Sequence, residues 1–298
     1  MKITLIGHLC IDVFHQADGT EVQEFGGIYH AVAAMANLAS DRDALYPVFG
    51  VGADHFERVM AAFSVYKNVN TNGIFRFEGE TNSIHYYADG SGERSVAVAK
   101  PIEFSRIKNS LSVDGVYINM ISGNDITVDT IDEIRLEVRA KKVPIHLDMH
   151  CLTMQVNPDG TRLHTPLPDW RRWCFMTDSV QMNETEAAII SAEKFSNELL
   201  AKQMIPLMVK AFVITRGDKG CTLYQAEHKQ LLQNDFPGEK IEEPESVIGS
   251  GDIFGASFLL SYIKKKTYGE AARFAVKAAG VSTQFSVREK HRHLTEVK

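Results

Sequence analysis

The sequence predicts an α/β protein with a doubly wound, mainly parallel sheet, helices on both faces of the sheet and a small β-sheet lid. Short β-branched or apolar runs alternate with segments of helical periodicity along most of the 298 residues. This alternation is typical of a parallel sheet covered by helices. Two segments interrupt the alternation and carry hairpin signals. Because no linker or internal repeat divides the chain, we expect one domain over residues 1–298.

The expected strands end near Gly, Asp, Asn or Thr. They cover residues 2–6, 44–51, 115–119, 143–148, 179–183 and 211–215. The spacing of apolar residues predicts helices over residues 28–39, 54–66, 128–141, 184–191 and 271–285. Since functional residues collect at the carboxyl ends of parallel strands, we expect the site along that edge of the sheet.

Two segments, about residues 11–25 and 83–99, are expected to form the lid. In the first, Asp18 and Gly19 provide a turn between two short strands, and in the second a turn at residues 89–92 does the same. Strand pairs outside a parallel core often cover an active site. We therefore expect the lid to close over a cleft, and two lids could pair into a homodimer.

Composition and charge exclude several classes of partner. The net charge is −6, with acids and bases interspersed, so no basic stripe is available for a nucleic acid. No apolar run approaches the length of a membrane span, and the first residues are typical of a strand and not of a signal peptide. We expect a cytoplasmic protein with a small-molecule partner. The four cysteines are Cys10, Cys151, Cys174 and Cys221, and their spacing does not include the CxxC pattern of zinc or redox sites.

The strongest motif is Gly-Ser-Gly-Asp at residues 249–252, which opens directly onto an apolar helix running to about residue 263. Free amides at a helix start attract an anion, and glycines let the backbone approach it closely. Asp252, in the first turn, is placed to accept a proton from a hydroxyl that faces a phosphate. Taken alone, the motif fits an ordinary helix cap equally well.

The residues Gly-Ser-Gly-Asp-Ile-Phe-Gly-Ala at 249–256 resemble the carboxyl-terminal signature of the ribokinase-like (phosphofructokinase-B type) carbohydrate and nucleoside kinases. The resemblance implies a ribokinase-like fold, ATP and Mg²⁺ as cofactors, and transfer of the γ-phosphate to a hydroxyl of a sugar or nucleoside. It also implies that Asp252 is the catalytic base and that the amides of Gly249, Ser250 and Gly251 form the anion hole.

Further landmarks of the same family imply the nucleotide side of the site. Asn183 and Glu186 resemble its Asn-x-x-Glu pair, which helps to hold Mg²⁺ and the phosphates; in isolation they fit a helix cap. Thr215 and Gly217 belong to a turn similar to the family's Thr-x-Gly-x-x-Gly, beside ATP. Asp148 ends a predicted strand, where many relatives carry an Asp near the phosphates or their Mg²⁺.

The acceptor side is implied by residues near the amino terminus. Asp12 resembles the carboxylate that binds substrate hydroxyls, a task for which two acceptor oxygens are suited. Gly26 and Gly27 match a di-glycine whose amides also touch the sugar. The family often has an Asn in the helix that follows, whereas here Tyr29 and His30 are expected to shape the pocket, so that sugars and nucleosides both remain open.

Several alternatives remain. Ser246 and Val247 stand where the family has Asp-Thr, which contributes to a monovalent-cation site, so we do not expect strong dependence on K⁺. His146, Asp148 and His150 alternate along one strand end and could bind a transition metal, although the rim of the active site is the expectation we prefer. A non-catalytic sugar- or nucleoside-binding regulator on the same fold is the second function. A dinucleotide oxidoreductase is disfavoured, since the first strand lacks the three-glycine fingerprint.

Overall fold

A nine-stranded sheet is the largest element of the computed structural model, which describes residues 1–88, 92–227 and 230–297. The fifteen strands within these ranges are β1 (Lys2–Gly7), β2 (Leu9–His15), β3 (Glu21–Gly27), β4 (Ala44–Gly52), β5 (Ile74–Phe77), β6 (Ser83–Tyr87), β7 (Glu93–Val96), β8 (Gly115–Asn119), β9 (Ile145–Asp148), β10 (Met154–Val156), β11 (Arg162–His164), β12 (Ser179–Asn183), β13 (Ala211–Thr215), β14 (Cys221–Glu227) and β15 (Gln230–Phe236).

The strand order of the large sheet is β15-β14-β13-β12-β9-β8-β1-β4-β5. The strands from β13 to β5 pair in parallel, and β14 and β15 add an antiparallel hairpin at one edge. The order changes direction at β1, which lies between β4 and β8. Gly7 and Asn119 are paired where β1 and β8 end. Ligands of open parallel sheets bind beyond the strand ends at such a switch point.

The predicted strands are confirmed, and all of them belong to the parallel part of the sheet. Gly115–Asn119, Ser179–Asn183 and Ala211–Thr215 have the predicted bounds. The sequence did not predict the edge hairpin β14–β15. Most of β15 is exposed or half-buried, so no apolar run marks it.

Helices pack on the sheet in groups: α8 contacts α1 and α9, and α4 contacts α3 and α5. The helices in the described ranges are α1 (Ile28–Leu38), α2 (Phe56–Phe63), α3 (Phe104–Ile107), α4 (Val128–Val138), α5 (Trp170–Phe175), α6 (Glu184–Ile189), α7 (Asn197–Met204), α8 (Ser250–Lys265), α9 (Tyr268–Thr283) and α10 (Lys290–His293). None of them has both the length and the apolar character that crossing a bilayer requires. Every predicted helix is present with shifted ends. The short helix α7 was missed, although Ser196 caps it and Leu200 and Met204 are buried.

The predicted lid is a four-stranded sheet, in the order β3-β2-β6-β7, within the part of the chain that the structure describes. β2 pairs antiparallel with β3 and parallel with β6, and β6 pairs antiparallel with β7. Gly19 lies in the first turn at φ 82°. Of the second predicted turn, residues 89–91 lie outside the described residues. Because β2 begins two residues after β1 ends, the lid starts at the switch point of the large sheet.

Candidate active site

The first turn of α8 carries backbone amides that have no internal partner. Gly249 precedes the helix at φ 76°, a conformation that favours glycine, and a Cβ at this position would overlap with the ring of His30. The amide of Ser250 donates to a carbonyl three residues earlier, at 3.1 Å. The amides of Gly249, Gly251 and Asp252 have no acceptor among the described residues. These three amides, and not that of Ser250, are therefore available to an anion.

The carboxyl group of Asp252 is buried at the end of β8. Its Oδ1 accepts a hydrogen bond from Asn119 Nδ2 at 2.7 Å. Burial raises the pKa of Asp252 above its ordinary value, against the opposing effects of His150, His30 and the Asn119 hydrogen bond. A carboxylate with a raised pKa and a fixed orientation is suited to accept a proton.

A glutamine on β12 joins this turn to the sheet. Gln181 Nε2 donates to the carbonyl of Gly251 at 3.0 Å and to Asp148 Oδ2 at 3.1 Å. One turn further along α8, a Cβ on Gly255 would collide with the Tyr117 hydroxyl and the side-chain oxygen of Gln181. The glycine lets α8 approach the sheet closely, which places Asp252 beside Asn119.

Residues 249–252, which carry the three available amides, are called the anion-binding turn below. Asp12, Gly27 and Asp252 line one cavity of about 360 Å³ between the lid and this turn. Asp12 is 2% exposed. Gly26, its neighbour on β3, lies directly against the carboxylate of Asp12, where a Cβ would overlap with it. The predicted acceptor residues are thus brought together: Asp12 and Gly27 share a cavity with the predicted base, and Gly26 lies behind Asp12.

His30 completes this side of the cavity. Its Nδ1 is 3.0 Å from His291 Nε2, and the two rings stack. Its Nε2 lies 3.8 Å from Asp12 Oδ2 and is buried without a hydrogen-bond partner among the described residues. This nitrogen is therefore available to a group that enters the cavity, as is the Asp12 carboxylate.

A second, largely apolar cleft of about 200 Å³ adjoins the first. Thr215, Gly217, Ser250 and Gly251 line both spaces, so the two are joined at the anion-binding turn. The apolar part of its lining comprises Ile241, Pro244, Val247, Phe254, Val276 and Ala279. The cleft is suited to a flat apolar group attached to an anion.

Asn183 and Glu186 form a reciprocal cap at the start of α6. The amide of Glu186 donates to the Asn183 side chain at 2.9 Å, and both oxygens of Glu186 accept hydrogen bonds from Asn183. Both residues also line the cavity of Asp252, as does Asp148. The pKa of Asp148 is raised well above its ordinary value, mainly by burial, with contributions from Glu186 and Asp252 and opposition from His150.

The alternative metal site at residues 146–150 is not assembled. His146 lies inside the sheet, with its Nδ1 2.8 Å from the Ser179 hydroxyl and its ring packed between Tyr117 and Phe258. Burial lowers the pKa of His146 to about 4. Within the described ranges no three His, Cys, Asp or Glu side chains are placed to hold a metal ion together. Only Asp148 and His150 of the three reach the cavity.

Residues 2–286 match the family described as pfkB family carbohydrate kinase. The chain belongs to this family. As a pfkB-family enzyme it is a carbohydrate or nucleoside kinase, which transfers a phosphoryl group to an alcohol acceptor. It is 25% identical over 284 residues to the cytidine kinase of Thermococcus kodakarensis, covering 94% of this chain and 95% of that protein. It is 27% identical over 270 residues to the ribokinase of Bacillus subtilis, covering 86% and 79% of the two chains.

Solved structures of this family confirm the ribokinase-like fold. The fructokinase of Xylella fastidiosa, solved with bound ATP, has a TM-score of 0.81 at 15% identity and covers 99% of this chain and 96% of its own. Ribokinase from Thermotoga maritima has a TM-score of 0.75 at 18% identity, with 99% and 97% covered. A pyrophosphate-dependent kinase in the ribokinase family has a TM-score of 0.75 at 18% identity, with 95% of each chain covered.

The cavity also contains residues that the sequence did not indicate. Asn119 holds the Asp252 carboxylate, and a strand end is the only signal that could have suggested it. Arg162, on β11, lines the cavity and pairs with Glu93 of the lid at 2.9 Å. Its Nε is buried without a partner among the described residues. No motif marks Arg162, because the small hairpin β10–β11 carries no apolar run.

Proposed function

We propose that the chain transfers the γ-phosphate of ATP to a hydroxyl of a sugar or nucleoside, with Asp252 as the general base. The observation that carries the proposal is a shared cavity. The Asp252 carboxylate and the unpaired amides of Gly249 and Gly251 face the same space as Asp12. A base, an anion-binding turn and a polar acceptor site are the parts that phosphoryl transfer requires.

In this mechanism Asp12 and His30 hold the acceptor under the lid. Asp252 accepts the proton of the acceptor hydroxyl as the hydroxyl oxygen bonds to the γ-phosphorus, whose bond to the bridging oxygen breaks so that ADP leaves. The hydrogen bond from Asn119 fixes the direction of the Asp252 carboxylate. The amides of Gly249 and Gly251 stabilise the charge on the transferring phosphoryl group. Closure of the lid excludes water, which would otherwise compete as acceptor.

The apolar cleft favours ATP as the donor. It joins the cavity at Ser250 and Gly251, and its apolar lining is suited to an adenine ring. Pyrophosphate is the second candidate donor, because three similar structures come from work on pyrophosphate-dependent kinases. Pyrophosphate has no group that would use the apolar lining. Saturation by ATP with little turnover of pyrophosphate is therefore the expected result.

The carboxyl groups of Asp148 and Glu186, near the expected position of the donor phosphates, fit a site that would hold Mg²⁺ largely through its bound waters. Asp148 and Glu186 line the cavity, and the raised pKa of Asp148 indicates carboxyl groups that a cation would stabilise in the charged form. Both oxygens of Glu186 are already occupied by Asn183, and Mg²⁺ commonly keeps several of its waters. When bound, Mg²⁺ would neutralise charge on the donor phosphates.

The test is a matrix of donors and acceptors. ATP and pyrophosphate are each combined with a panel of sugars and nucleosides, and phosphorylated product is detected directly by mass spectrometry. We expect ATP-dependent phosphorylation of at least one acceptor. Acceptors that bind without phosphorylation under either donor would support the non-catalytic regulator instead. Whether two lids pair into a homodimer stays a prediction, which sedimentation of the same sample would test.

A further inference from the structure

A lysine near the carboxyl terminus is buried against the anion-binding turn. Lys290, the first residue of α10, is 0% exposed. Its Nζ donates to the carbonyl of Ser246 at 3.0 Å and to that of Ile248 at 2.6 Å. The carbonyl of Ile248 and the amide of Gly249 belong to one planar peptide group. By fixing the carbonyl, Lys290 therefore fixes the direction of the first anion-binding amide.

Backbone carbonyls supply the hydrogen-bond acceptors of the Lys290 ammonium group. Burial lowers the pKa of Lys290 to about 8, while the charges of Asp252, Asp12 and Glu245 oppose that shift. Its neighbour His291 has a pKa well below the ordinary value because of burial and the nearby His30 and Lys290. At neutral pH, Lys290 is thus charged and His291 is neutral.

Proteins hold monovalent metal ions in the same way, by replacing the hydration shell of the ion with backbone carbonyl oxygens. An ammonium group is a compact point charge of the same sign. The carbonyls that Lys290 engages lie in the segment 246–248, where Ser246 and Val247 replace the Asp-Thr of the kinase signature. The buried side chain therefore lies where a monovalent cation would otherwise be expected.

We propose that the ammonium group of Lys290 is a built-in monovalent cation, which positions the anion-binding turn for phosphoryl transfer without added K⁺. The proposal rests on the proposed kinase function, since it assigns Lys290 a role in that reaction. Lys290 is a positioning residue, because it acts through the peptide group of Ile248 and Gly249. A merely structural lysine would stabilise the fold in the same way whichever salt was present.

Three variants separate these roles. Lys290→Met removes the charge and leaves little space, Lys290→Ala removes the charge and opens a cavity, and Lys277→Met removes an exposed lysine of α9 as a matched control. Turnover and melting temperature are measured in choline chloride, NaCl and KCl at equal ionic strength, and with ethylammonium chloride for the Ala variant.

We expect wild type and Lys277→Met to respond less than about twofold to the choice of salt. Lys290→Met should lose roughly ten- to a hundredfold in kcat in every salt, which is less than the roughly hundred- to thousandfold cost of removing an anion-hole donor outright. Lys290→Ala should lose as much in choline chloride and regain about tenfold in KCl or ethylammonium chloride. Its melting temperature should rise selectively in the same two salts.

Three results would overturn the proposal. The first is strong activation of the wild type by K⁺, and the second is a wild-type kcat in both Lys290 variants. The third is a Lys290→Ala variant whose kcat and melting temperature do not change with any added cation. If both variants fail to fold, the wild-type comparison can still overturn the proposal, because strong activation by K⁺ would contradict it. If no donor and acceptor give product, the proposed kinase function fails, whereas the selective rise in melting temperature still tests the cation replacement.

Discussion

The anion-binding turn and the acceptor side of the cavity meet at Asp252 but are built in different ways. The turn is one continuous segment, residues 249–252, and it uses backbone amides. The acceptor side uses side chains from distant parts of the chain, from Asp12 on β2 to Arg162 on β11. In the proposed mechanism, the part that handles phosphate is thus one local segment that presents backbone amides, whereas the part that contacts the acceptor depends on how the lid packs.

Among the substitutions that compare the two sides, the largest change is expected from Gly249→Ala, which breaks the turn itself. The left-handed conformation costs a residue with a side chain about 1–2 kcal/mol, and the new Cβ would overlap with His30. We expect a lower melting temperature and a fall in kcat of about a hundredfold. Gly19→Ala is the matched control, because Gly19 has φ 82° with open space around its Cβ position. Equal effects of the two substitutions on kcat would mean that the turn has no special role.

A smaller and more selective effect is expected from Gly26→Ala, which breaks the acceptor side. The new Cβ would displace the carboxylate of Asp12. KM for the acceptor should rise about tenfold, which corresponds to one weakened hydrogen bond to a charged group, and KM for the donor should hardly change. Val22→Ala on the exposed part of the same strand is the control. A change in the KM for the donor alone would contradict the role of Asp12 in binding the acceptor.

The smallest expected effect is a shift in the pH dependence of kcat/KM, which tests Asp252, the residue where the two sides meet. Burial raises the pKa of Asp252, and only the ionised form accepts a proton. Activity should therefore fall with decreasing pH at a higher pH than an ordinary aspartate would give. The Asn119 hydrogen bond favours the ionised form, so Asn119→Ala should move the acid limb of kcat/KM further upward.

Tyr117→Phe serves as the control for that pH profile. The Tyr117 hydroxyl is 3.5 Å from the backbone carbonyl of Asp252 and is not bonded to its carboxylate. The acid limb of this variant should stay at the wild-type position. An Asn119→Ala profile that coincides with the wild type would mean that another group controls the limb.

The same contrast explains what could be predicted from the sequence. Buried parallel strands carry continuous apolar runs, so the sheet could be predicted, and the turn at 249–252 is readable because its residues are consecutive. Side-chain hydrogen bonds between distant strands leave no local pattern. Asn119 was missed for this reason. The hydrogen bond of the Ser250 amide within a turn was also missed, because it depends on the local path of the backbone.

The acceptor residues form an intermediate case. Asp12, Gly26 and Gly27 were indicated by resemblance and do lie at the cavity or against it. Arg162 was not indicated, because its position depends on how the β10–β11 hairpin packs against the lid. Arg94 of the lid forms an isolated antiparallel β-bridge with Thr161, next to Arg162. Lys290 lies far from the signature in sequence, and only the fold brings its ammonium group to Ser246 and Ile248.

The most direct measurement is the turnover of Asp252→Asn at saturating donor and acceptor, beside the exposed control Asp41→Asn. We predict that Asp252→Asn loses about a thousandfold in kcat, within the range of general-base catalysis, while calorimetry gives a donor Kd within a few-fold of wild type. Asp41→Asn should match the wild type in both measurements. Turnover of Asp252→Asn within tenfold of wild type would contradict the assignment of Asp252 as the base.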